Sequence, residues 1–208
     1  MHRFSAWLDL KIIGSETVDG LLVVGSDEKR PRVVEALGLI RKHDAVRYGR
    51  LIQDFERILI GVLSGARASF VPATRTCQLE ERFVLDEKTT LELIATVIVH
   101  EATHGRLHRC GIGYGEDIRA RVEEICLKRE IAFATKLPVG LQARNQAERT
   151  MEAMPDLSNA AIATRNQEGG KDALRYLGAP EWLIKSLITT AICARRISLA
   201  LGILKKSS

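Results

Sequence analysis

The chain has 208 residues, 46% of them hydrophobic and 27% charged, a balance that builds an ordinary globular core and excludes a disordered or fibrous chain. No run free of charged residues exceeds the nine of Ile58 to Ala66 and of Ser186 to Ala194, so no membrane-spanning helix of about 20 apolar residues is expected. The net charge of +5 resides in residues 171 to 208, where seven basic residues face two acidic ones, and the rest of the chain is balanced.

Asp9 and Lys11 interrupt the N-terminal apolar stretch before it reaches the length of a signal peptide. The four cysteines (Cys77, Cys110, Cys126 and Cys193) form no CxxC pair, which argues against both a zinc knuckle and a dense disulfide framework. A reduced, cytoplasmic protein made of one domain over residues 1–208 is expected. A basic tail can recruit nucleic acid, an anionic membrane surface or an acidic partner. Here the basic residues are sparse and lack interleaved aromatics, so a solvated helix face is the favoured reading.

The apolar periodicity changes character twice along the chain, giving an α+β order. Trp7 to Ile13 and Leu21 to Val24 read as short strands around a turn at Asp19-Gly20. Pro31 to Lys42 and Ala45 to Glu56 read as helices that part near His43-Asp44. Ile58 to Leu63, Ala68 to Val71 and Thr76 to Leu85 follow as β segments punctuated by Gly61, Gly65 and Pro72. A long helix is predicted from about Thr89 to His108, capped by Asp86 or Thr89 and stopped by glycines 111, 113 and 115. A second runs from about Glu116 to Lys136 and ends at Pro138. The remainder reads as helical pieces joined by turns, closing with an amphipathic helix from about Pro180 to Leu204 that packs on the core.

Inside the long helix stands His100-Glu101-Ala102-Thr103-His104. At about 100° per residue the two histidines share a face one turn apart, where their nitrogens can converge on one divalent ion. Glu101 then points beside that ion, placed to take a proton from water activated there. The bland alternative is a pair of histidines on a satisfied amphipathic helix. His108 lies two turns beyond His100, about 12 Å along the axis, and cannot complete such a site from the same helix.

With this HExxH helix behind a strand and before a glycine stop, residues 76 to 135 resemble the zincin metallopeptidases. The metzincin branch would require glycine at 107 and histidine at 110, where this chain has Leu107 and Cys110. The gluzincin branch takes a glutamate from the next helix, 19 or 20 residues after the second histidine, which falls on Glu123 or Glu124. Helical geometry favours Glu123. It projects between two apolar groups of that helix, whereas Glu124 lies near the solvent side marked by Arg121 and Lys128. A carboxylate aimed inward needs a cation, which zinc would supply and Arg119 at i−4 could supply instead.

The resemblance implies a zincin-like α+β fold with a small mixed or antiparallel sheet, Zn2+ held by His100, His104 and Glu123, and Glu101 as general base. It further implies Tyr114 as a donor to the oxyanion and an edge strand, Thr76 to Leu85, that pairs with a peptide or protein substrate. The polar and charged residues Gln78, Glu80, Glu81 and Arg82 fit such an exposed edge. Two departures mark a divergent member: Leu127 or Lys128 stands where relatives of this branch orient a histidine with aspartate, and Arg106 replaces an apolar residue. A catalytically silent zinc-binding scaffold and a metal-free helical binding module are the alternatives.

Overall fold

The computed structural model describes residues 14–187. Its first element is a hairpin, β1 (Ser15–Val18) and β2 (Leu21–Val24), closed by Asp19 and Gly20 with φ of 49° and 87°. Positive φ at both central residues defines the type I′ turn, whose twist matches that of its strands and which Asp-Gly favours. The proposed strand over Trp7 to Ile13 lies outside the described residues; β1 is the partner of Leu21–Val24.

Two helices follow, α1 (Arg30–His43) and α2 (Ala45–Asp54), broken at Asp44, whose side chain accepts the Arg47 N–H and caps α2. The chain returns to the sheet as β3 (Arg57–Gly61), β4 (Ala68–Val71) and β5 (Thr76–Glu80), giving a mixed five-stranded sheet in the order β1, β2, β3, β5, β4. β2, β3 and β5 are parallel, while β1 and β4 are antiparallel to their neighbours and form the two edges. The predicted strand Thr76 to Leu85 is therefore corrected twice. Its strand ends at Glu80, where α3 (Glu81–Leu85) begins, and β5 lies inside the sheet, the cleft-side edge being β4.

The charges read as marks of an exposed edge serve this junction instead. Buried Glu80 accepts the N–H groups of Leu63 and Arg82 and, at 2.7 Å, the Arg82 guanidinium. Glu81 pairs with Lys29.

Across the sheet lies α4 (Leu91–Arg109), the central helix of the fold. Every residue from Leu93 to Val99 is buried, so α4 is wrapped on all sides rather than on one stripe. Ile94, Ile98 and Val99 share one core with Val33, Leu37 and Ile40 of α1 and with Val23, Ile58 and Leu79 of the sheet. Each such side chain contributes about 1.5–3 kcal/mol by leaving water. Thr90, rather than Asp86 or Thr89, caps α4 through the Leu93 N–H. At the other end Gly111 takes φ 77°, and the Gly111 and Ile112 N–H groups bond back to His108 and Leu107 in a Schellman cap.

Next come α5 (Glu116–Ala134), α6 (Leu141–Glu152) and α7 (Asn159–Tyr176). Of the helix expected over residues 180 to 204, residues 181–187 are described and helical, and Ile184 is buried; the rest, with most of the basic tail, lies outside the described residues. Among the described residues no helix is long and apolar enough to cross a membrane.

One contact makes the docking of α7 testable. A Cβ added to Gly169 would lie 2.1 Å from the Gly65 nitrogen, with Gly65 itself at φ 78°. Gly169→Ala should cost about 1–3 kcal/mol as backbone is pushed apart. Gly170→Ala, which meets nothing within 4 Å, should be neutral or stabilising. Thermal melts separate the two, and equal effects would contradict this packing.

Candidate metal centre

His100 and His104 sit on adjacent turns of α4 and their Nε2 atoms are 3.3 Å apart. Glu123, on α5, reaches both: its Oε2 lies 3.3 Å from Nε2 of His100 and its Oε1 3.3 Å from Nε2 of His104. α4 and α5 are joined by a short loop and pack along each other, so helices adjacent in sequence bring the three groups together. Glu124 points away and pairs with Lys128 on the surface.

Donor spacing allows a test of fit. Ligand bonds of about 2.0–2.1 Å in a tetrahedral shell place donor atoms about 3.3–3.4 Å apart, which matches the separation of the two Nε2 atoms and the approach of a different Glu123 oxygen to each of them. Charge supports the same conclusion. Glu101, Glu123 and Glu130 surround the two imidazoles in a largely buried shell, and Arg119, the alternative cation for Glu123, is engaged elsewhere. Buried carboxylates gathered in this way call for a compensating cation. Burial opposes a charge on the His100 imidazole, but the hydrogen bonds accepted by the Glu123 and Glu130 carboxylates prevail and raise it to about 10. Burial would raise Glu123, yet its bonds to His100 and His104 hold it well below the usual carboxylate range.

Cys126 is a further soft donor. Its sulfur and nitrogen atoms of His100 and His104 lie within 4.8 Å of one another. The Glu123 oxygens, each 3.3 Å from one imidazole nitrogen, are the alternative third donor. Burial pushes the Cys126 thiol up.

Glu101 does not join the donor cluster. Its carboxyl is buried against the cleft and raised by that burial, a tendency opposed by both histidines and by the backbone N–H of Phe70. Tyr114, in the α4–α5 loop, donates its hydroxyl to Oε1 of Glu123 and sets its ring edge-on to His104 at 5.3 Å. Arg119 fixes that loop: its guanidinium lies 5.1 Å from the Tyr114 ring, and it donates to the Leu157 carbonyl and to Oδ1 of Asn159 at 2.9 Å.

Glu130 completes the arrangement, and sequence reasoning missed it. Its carboxylate lies 3.0 Å from Nδ1 of His100, which fixes the ring with Nε2 turned to the donor cluster. The signal was present, since Glu130 is seven residues after Glu123 and two helical turns bring it back to nearly the same face. Glu130→Gln should weaken zinc binding about 10- to 100-fold, as measured by competition with a chromogenic chelator. Unchanged affinity would remove Glu130 from this role.

The cluster opens into a cleft of about 380 Å³ between the histidines and β4, with Leu107, Ile112 and Val122 as apolar walls. Gly105 permits this closeness, because a Cβ there would come within 3.3 Å of the Phe70 ring and 3.4 Å of Asp54. β4 presents backbone to the cleft. The Glu80 N–H bonds to the Arg67 carbonyl, and the register pairs Ser69 with Gln78, so the alternation of an antiparallel ladder turns the polar groups of Ala68 and Phe70 away from β5. All five residues expected at the site (His100, Glu101, His104, Tyr114 and Glu123) line this one cleft. Comparison of the chain with protein-family models, with curated proteins and with solved structures found no match.

Proposed function

We propose that the protein is a zinc-dependent peptidase, a divergent member of the gluzincin type with a zincin-like fold, acting in the cytoplasm. The observation that carries the reading is the mutual 3.3 Å approach of His100, His104 and Glu123 beside a carboxylate that is not part of the cluster. The free backbone of β4 along the same cleft supports a peptide substrate, and the unpaired thiols of Cys77, Cys110 and Cys126 support a reducing compartment.

His100, His104 and Glu123 would hold the ion. When bound, zinc supplies a Lewis acid that polarises a carbonyl and brings the pKa of water towards about 7. The chain performs the remaining tasks. Ala68 offers its N–H and carbonyl, and Phe70 its carbonyl, to an extended substrate as an added strand. Glu101, raised by burial, accepts a proton from the attacking water and returns it to the leaving amine. Tyr114 turns its hydroxyl from Glu123 to the developing oxyanion. Glu130 keeps His100 in the tautomer that leaves Nε2 free.

Cys126 favours a second reading, a silent scaffold in which the thiolate closes the site. Metal analysis of the purified full chain, with a chelator-sensitive cleavage assay on an unfolded protein, tests both. One zinc per chain with cleavage supports the peptidase. Zinc without cleavage across diverse peptides, lost on Cys126→Ala, supports the scaffold, and absence of zinc overturns both.

A further inference from the structure

On the far side of α4 from the histidines lies a second cavity, of about 490 Å³, between α2, α4 and α5. Its floor is apolar, with Leu51, Ala102 and Ile125, and Leu107 forms a wall shared with the candidate metal cleft. Its rim is cationic. Arg47, Arg50, Arg106, Arg129 and Lys136 line it, against the two carboxylates of Asp44 and Asp54.

Both carboxylates are committed within the protein. Asp44 caps α2 and accepts from Arg47 Nε at 3.0 Å and Lys136 Nζ at 2.7 Å. Buried Asp54 accepts from Arg109 at 2.8 Å and feels Arg106 only through the longer-range field. Arg50, Arg106 and Arg129 make no ion pair with a carboxylate among the described residues. Three arginines from three helices thus line one cavity without a carboxylate partner of their own, and an anion there would draw on the field of all three.

We propose that this cavity binds a small phosphate-bearing anion carrying at least two charges, with the guanidinium groups of Arg50, Arg106 and Arg129 around its phosphate oxygens. A phosphate group concentrates nearly two charges on acceptor oxygens pointing in several directions, which suits donors arriving from three helices. Arginine forks match that geometry better than point charges do. An acidic peptide spreads its charge along a strand or helix and meets one fork at a time. The site also gives a role to Arg106, which departs from the apolar residue expected at that position of the zincin motif. The inference stands independently of the peptidase reading, since it uses neither histidine nor Glu101.

The test is calorimetric titration of the full chain with inorganic tripolyphosphate at about 0.1 M salt, in parallel on wild type, His104→Ala, Arg50→Ala and Arg129→Ala. Because tripolyphosphate also chelates zinc, the His104→Ala arm separates the two sites. Saturable binding is expected in wild type and in His104→Ala alike, weakened about tenfold or more by each arginine substitution. Both arginines are exposed, so these variants should fold, and unchanged melting temperatures without ligand confirm it. No binding in wild type, binding indifferent to Arg50 and Arg129, or binding lost only in His104→Ala would each overturn the proposal. Arginine-dependent binding of a glutamate-rich peptide, with none of tripolyphosphate, would overturn the phosphate assignment in favour of an acidic polypeptide.

Discussion

Glu101→Gln is expected to leave folding and zinc content intact while turnover falls by about 10² to 10⁴, the usual cost of losing a general base. The substitution is suited to that separation. Glutamine keeps the volume of a side chain buried in a tight wall, and its amide oxygen can still face the Phe70 N–H, whereas an alanine would leave a cavity beneath β4. His104→Ala should behave differently, losing zinc and activity together because a donor is removed. Both comparisons require a peptide that the wild type cleaves and metal analysis of each variant. Full metal-dependent activity in Glu101→Gln would show that another group takes the proton. Loss of zinc in Glu101→Gln would place Glu101 among the ligands and overturn the division of roles proposed here.

What the sequence disclosed and what it concealed divide along physical lines. The α+β class, the hairpin turn at Asp19-Gly20 and the two long helices follow from local signals, namely turn chemistry and apolar period, and these survive in the structure. The approach of His100 and His104 is local as well, fixed by one helical turn. Glu123 was accessible because α5 follows α4 directly, so the face of a single helix decides which glutamate points inward. The edge of the sheet was not accessible. Whether β4 or β5 lies outside depends on pairing between distant segments, and the charges at the end of β5 and the start of α3 imitate an edge because Glu80 and Glu81 satisfy partners at Leu63, Arg82 and Lys29. The reach of Arg119 to Leu157 and Asn159 is concealed for the same reason: its partners lie about forty residues away, while the near one, Glu123 at i+4, is taken by the histidines.

The sharpest test of the candidate metal centre compares two adjacent glutamates. Glu123→Gln keeps the shape of the side chain but removes the charge that both imidazoles approach, so zinc affinity should fall by more than the roughly 100-fold seen when only an outer partner is lost. Glu124→Gln removes an exposed pair with Lys128 and should leave zinc affinity and melting temperature nearly unchanged. Competition with a chromogenic chelator reads the first quantity and a thermal melt the second. Apo-protein stability supplies a control, because the glutamine can still hydrogen-bond to His100 and Tyr114 and global unfolding is not expected. Cys126→Ala belongs in the same series. If its sulfur were the third ligand in place of the carboxylate, this variant would lose zinc while Glu123→Gln retained it. A larger loss in Glu124→Gln than in Glu123→Gln would require α5 to be rotated by about 100° from its position here, and small equal losses in both would leave the pair of histidines without a carboxylate ligand and the gluzincin proposal without its basis.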